Sequence, residues 1–184
     1  MTKDQTGRLV GAAFGLVFIQ ANAGVLPTAV AAPLRLLAVA AFLGVVVLGR
    51  RGRAAPRTTG TGTDIATGTG FGRRYWYVVA AEVLALTAGL LVINRVLHTP
   101  RASVGWIAFV VGVHFFGLAA AWRRPSLNTL AVSLTACGFG GLILAALDAP
   151  AAVIGAVAGV LPGALLLAAV WWSGRPITAA PAEA

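Results

Sequence analysis

Charge is scarce in this chain, and where it occurs it is segregated. Charged side chains make up only 10% of its 184 residues, against roughly a quarter in a soluble domain. A water-soluble globular fold is excluded by that shortage, because too few ionic groups are present to cover its surface. Cysteine is nearly absent. Cys137 stands alone, so an internal disulfide and dithiol redox chemistry are both excluded. Lys3 is the only lysine, which leaves no buried amine for a retinal-type Schiff base. Histidine occurs twice, at His98 and His114. These lie at very different positions along their apolar runs, so a bis-histidine haem is not expected. No paired cysteines and no His-Glu-x-x-His are present, which removes the usual zinc patterns. No cofactor is implied, and no set of acids, bases and nucleophiles suggests an enzyme.

What is abundant is hydrocarbon. Hydrophobic residues are 59% of the chain, gathered into about six long runs: residues 9–26, 34–49, 75–97, 103–122, 127–147 and 151–172. Each approaches the ~20 residues a helix needs to cross a bilayer. Strands are disfavoured, because apolar and polar residues do not alternate and Ala and Leu dominate. The expected fold is an all-α polytopic membrane bundle of about six transmembrane helices in a single domain.

The net charge of +9 does not point to nucleic acid, since the arginines collect at the ends of apolar runs instead of along one stripe. Lys3 and Arg8 precede the first run. Arg50, Arg51, Arg53, Arg57, Arg73 and Arg74 lie between the second and third, Arg123 and Arg124 between the fourth and fifth, and Arg175 after the sixth. The opposite side keeps Arg35, Arg95 and Arg101. The positive-inside rule puts both termini in the cytoplasm of a bacterial inner membrane. Tyr75, Trp76, Tyr77, Trp122, Trp171 and Trp172 fall at that same interface, as an aromatic belt does. The first run also carries a signal-peptide pattern, with Ala21-Asn22-Ala23 before Gly24. The run continues past that site to Leu26, which favours a retained span. The long connection 50–74 is rich in Gly and Thr with basic ends, a composition that builds no core and suits anionic lipid headgroups at Arg50, Arg51, Arg53, Arg73 and Arg74. Its glycines lack the Gly-Lys-Ser/Thr of a phosphate loop. The tail 174–184 is Ala/Pro-rich and expected to fray.

Two features bear on packing and function. Gly155, Gly159 and Gly163 recur every four residues and share one helix face, suited to close approach by a neighbouring helix or by a second copy. Gly11 and Gly15 offer a shorter version, and Pro162 predicts a kink, because the Ala158 carbonyl loses its usual partner. The second feature is Glu82 in the third run and His114 in the fourth. Glu82 lies ~10 Å and His114 ~13 Å below the basic interface, on spans joined by a short turn. Small residues accompany each: Ala85 and Gly89 beside Glu82, Gly117 and Ala121 beside His114. Ser133 in the fifth run reaches a similar depth. A carboxylate facing hydrocarbon is costly, so Glu82 is expected to be neutral, wetted or paired, and a nearby imidazole meets that need. Glu82, His114 and Ser133 form the candidate proton site; a purely structural polar clamp between two helices is the competing reading. A fainter polar group, Gln20, Asn22, Arg35, Asn94, Arg95 and Asp148, lies toward the other face. Arg35 and Arg95 are expected to reach the headgroups, and Asp148 to cap the sixth helix.

The stretches "RRYWYVVAAEVLAL" and "WIAFVVGVHFFGLAAAW" resemble small multi-span bacterial membrane proteins that have no assigned function. "AAPLRLLAVAAFL" resembles the second helix of drug/metabolite-type transporters. The first resemblance implies a helical inner-membrane protein and the second favours transport; neither assigns a residue. The expectations are a small proton-responsive carrier or channel-like protein, or a structural, partner-binding subunit.

Overall fold

The computed structural model describes residues 3–51, 73–122 and 126–173. They form six helices and, among the described residues, no strand. The helices are α1 (Lys3–Asn22), α2 (Thr28–Arg51), α3 (Arg73–Leu91), α4 (Ala102–Trp122), α5 (Ser126–Ala146) and α6 (Ala151–Trp172). All six are long and apolar enough to cross a membrane. Most of the 50–74 connection, the 174–184 tail and Arg123 and Arg124 lie outside the described residues, as do the side chains of Arg50, Arg51, Arg73, Arg74, Tyr75, Trp76 and Trp122.

Prolines open three of the helices. The carbonyls of Pro27, Pro100 and Pro150 accept first-turn N–H groups from Val30 and Ala31, from Ser103, and from Val153 and Ile154. A residue with fixed φ and no N–H of its own suits that position. Helix α2 therefore starts at Thr28 and not at Leu34. Pro33 lies inside it, still early enough to disturb only the opening turns. Left-handed residues end two helices: His98 (φ 52°) follows α3, and Asp148 (φ 53°) follows α5. At Asp148 the bonds Ala149 N–H to Leu144 O and Asp148 N–H to Ala145 O make a Schellman closure. Asp148 thus terminates α5 and does not cap α6, whose N-cap is Pro150 with no side-chain bond. Its carboxylate lies 3.9 Å from Arg101, with both groups exposed, a contact of little stabilising value.

Helix α6 is the centre of the bundle and α3 its edge. Half of the α6 span is buried, against 6% of the α3 span. On one side of α6, Ala12 and Ile19 of α1, Ala31, Ala38 and Val45 of α2, and Leu167 and Val170 of α6 form one core. The seven-residue spacing of the α2 residues is that of a coiled-coil seam. On the other side, Phe18, Ala108, Leu134 and Leu166 join α1, α4, α5 and α6 in a second core.

Glycine sets the closest approaches. A Cβ at Gly163 would lie 2.7 Å from the Gly15 carbonyl, and one at Gly15 would lie 2.8 Å from the Gly163 carbonyl. Gly159 makes room for the Asn22 side chain and Gly155 for Val25. The stripe therefore faces α1 and the turn that follows it. A second glycine contact, not singled out from the sequence, joins α4 and α5. There a Cβ at Gly105 would lie 2.8 Å from the Leu142 amide and one at Gly112 would lie 2.5 Å from Thr135 Oγ1, while Gly138 abuts the backbone of Ala108 and Phe109. Without side chains between them, these backbones gain dispersion contacts that lipid cannot match.

Two wide π-turns interrupt the spans, Val92–Val96 after α3 and Ala156–Val160 within α6. The second ends just before the buried Pro162. It is the local form taken by the disturbance expected there, since a widened turn re-registers the backbone that a proline disrupts.

Candidate functional site in the seam between α3 and α4

Helices α3 and α4 meet along one narrow seam. On α3 the half-buried positions Glu82, Leu86, Gly89 and Leu90 lead to the buried Ile93, following helical spacing. Ala85, expected on this face, is exposed, and Leu86 takes its place. Among the described residues the opposite side packs against nothing, with Val83, Leu84 and Leu91 all exposed.

Three contacts tie the seam. At one end Glu82 Oε2 lies 2.5 Å from His114 Nδ1. In the middle the Trp106 indole abuts Gly89, where any Cβ would overlap its ring. At the far end the Asn94 amide donates to Ser103 Oγ at 3.0 Å and to the Leu90 carbonyl at 2.8 Å. The pairs run in antiparallel register: moving from Glu82 to Gly89 to Asn94 goes back from His114 to Trp106 to Ser103.

The Glu82–His114 contact rests on charge and proximity. Nδ1 makes no hydrogen bond of ordinary direction, despite its short distance to the carboxylate. The side chains are 19% and 23% exposed, His114 and Glu82 respectively. They are therefore largely screened by the two helices, but at the rim of the bundle and not at its centre. Phe115 meets the His114 ring edge-on at 6.2 Å. On α5 and α6, which pack on α4, few other groups can exchange a proton: α5 carries Cys137, and α6 carries none. A carboxylate and an imidazole in contact can share one proton and remain neutral as a pair, which is the form a bilayer tolerates.

Ser133 does not join them. Its hydroxyl donates to the Thr129 carbonyl at 2.9 Å, one turn back on its own helix, as serines in membrane helices commonly do. Gly117 is half-buried on α4, and the side chain of Ala121 lies outside the described residues. Trp106 was not singled out from the sequence, although a large aromatic opposite a glycine at matching depth is a readable signal.

The other polar group is dispersed. Gln20 Nε2 donates to the Arg35 carbonyl at 3.1 Å, and an Arg35 guanidinium nitrogen donates to the Gln20 carbonyl at 3.3 Å. Arg35 thus ties α2 to α1 as well as lying exposed. Asn22 donates to the Phe18 carbonyl at 2.8 Å. None of these makes a shared pocket with the seam.

No family model matches this chain, and neither the curated proteins nor the solved structures searched contain a match.

Proposed function

We propose that this chain is a small proton-responsive carrier of a bacterial cytoplasmic membrane, with both termini on the cytoplasmic side. One observation carries the reading: the only carboxylate and the only imidazole within the six spans lie in contact. Ionisable groups at membrane depth are costly, and one held there is a functional-site hypothesis by default. The six crossings support termini on a common face, and the basic residues support a cytoplasmic assignment. Anionic lipid headgroups at Arg50, Arg51, Arg53, Arg73 and Arg74 would add to that bias.

The reading is tested in proteoliposomes carrying a pH-sensitive dye in the lumen. Under an imposed pH gradient, wild-type protein should move protons faster than empty liposomes, and Glu82→Gln should return the rate to that background. Equal rates for wild-type and empty liposomes would count against it.

A structural, partner-binding subunit is the second reading, and one observation favours it. Among the described residues no polar or charged residue is buried in the core, so the resting bundle offers no polar path. That reading predicts no flux and a partner or second copy that co-purifies with the chain.

A further inference from the structure

We propose that α3 is the moving part of this bundle, hinged at the π-turn Val92–Val96 and latched to α4 by the Glu82–His114 pair. The proposal rests on the proton-responsive reading above and adds which element the proton moves.

The two ends of α3 are held differently. At the π-turn, Ile93 is buried, and among the described side chains from Tyr77 to Leu97 no other is. Asn94 adds two hydrogen bonds there, one of them to α4. The short turn into α4 is closed by bonds from Thr99 N–H to Ile93 O and from Ala102 N–H to Thr99 O. Away from the turn the packing thins to half-buried residues, and the ion pair is the polar contact farthest from the turn among the described residues of α3. Glu82 lies ten residues before the turn, a lever of ~15 Å. Midway, the buried Trp106 Nε1 has no acceptor, and His114 Nδ1 makes no hydrogen bond of ordinary direction, so the docked seam is not fully optimised. A π-turn already breaks the regular bond ladder, and such turns are frequent at functional sites.

Proton count supplies the trigger. With one proton between them the two groups are neutral as a pair. A second proton leaves a net positive charge in the seam, and loss of the first leaves a net negative one. Hydrocarbon disfavours either state, and swinging the Glu82 end away from α4 toward the nearer interface would bring water to the charge. On the helices packed against α4, few groups could offset this: α1 carries the half-buried Arg8 near its start, with the side chains of Lys3 and Asp4 outside the described residues. Helix α5 offers only Cys137 and α6 nothing, while Tyr77 is exposed and Arg95 is exposed at the hinge end. Arg73, Arg74 and Tyr75 open α3, and their side chains lie outside the described residues. The latch therefore opens on both sides of neutrality.

Pulsed spin-label distances on the full chain in lipid nanodiscs test this, in a Cys137→Ala background. One pair is Leu84→Cys with Phe139→Cys, and the hinge control is Val96→Cys with Phe139→Cys. All three positions are exposed. A swing of the ~20° typical of a kink moves the lever end by about 5 Å. The first pair should shift by about that much at about pH 4.5 and 9.5 relative to pH 7, while the control stays fixed. In Glu82→Gln/His114→Asn the shift should vanish. A pH-independent Leu84 distance, a control that moves equally, or a double variant that still responds would each overturn the proposal. If the double variant does not fold, the two wild-type distances still decide. A distance shift without proton flux would sink the carrier reading and leave the hinge; flux without a shift would do the reverse.

Discussion

At Gly163 the nearest neighbour of an added Cβ is the main-chain carbonyl of Gly15, 2.7 Å away. At Gly140 it is a Val157 methyl at 3.8 Å. The first obstacle is backbone of a packed helix and cannot rotate aside, while the second is ordinary contact. Gly163→Ala should therefore destabilise the bundle by ~1–3 kcal/mol, and Gly140→Ala should stay within ~0.5 kcal/mol. Thermal unfolding in mild detergent, read by circular dichroism, checks the difference; equal midpoints would show that the α1–α6 approach is not tight. The four-residue spacing of Gly155, Gly159 and Gly163 was legible in the sequence, since periodicity alone puts them on one face. Their neighbour on α1 was not, because spacing says nothing about what a face meets. Ser133 shows the same limit: counting residues from the interface gives its depth, but not whether its hydroxyl turns to the site or to its own backbone.

Helix α3 is legible as a span and not as a peripheral one, since hydropathy says nothing about how many neighbours a helix meets. Its seam with α4 sets a test at the scale of the element. Glu82→Gln and His114→Asn should each cost ~1–3 kcal/mol, because each leaves the other polar group facing hydrocarbon without its charged partner. The double variant should cost less than the sum, with a coupling of ~0.5–3 kcal/mol. Unfolding of the four proteins in one detergent measures that coupling, and strict additivity would show that the contact contributes nothing. The pairing of Glu82 with His114 was foreshadowed by matched depth on spans joined by a short turn. The π-turns were not, since hydropathy and residue spacing do not register a backbone turn widened by one residue. The early start of α2 at Thr28 was missed because Pro33 reads as a stop, although a proline in the opening turns is tolerated.

For the whole molecule, charge asymmetry carries the proposed orientation. By sequence position, eleven of the fourteen Lys and Arg residues lie at the ends of apolar runs expected to share a side with the termini, and Arg35, Arg95 and Arg101 at the other ends. In a Cys137→Ala background, Thr99→Cys should react with a membrane-impermeant maleimide in intact cells, and Ser173→Cys only after permeabilisation. The reverse pattern would invert the topology. The number of spans was readable from hydropathy; the place of α6 at the centre and of α3 at the rim was not, because each span is apolar enough to face lipid.

The account depends most on Glu82 and His114 acting as one titrating unit, and imidazole ¹⁵N spectra of the protein in lipid address that directly. Only His98 and His114 contribute, and His98 lies exposed at the opposite end of α3, where its Nδ1 contacts the Val96 carbonyl at 3.1 Å. At fixed neutral pH, Glu82→Gln should move the His114 resonances and leave those of His98 in place. Unchanged His114 signals would contradict the shared proton, and with it both the proton-responsive reading and the latch.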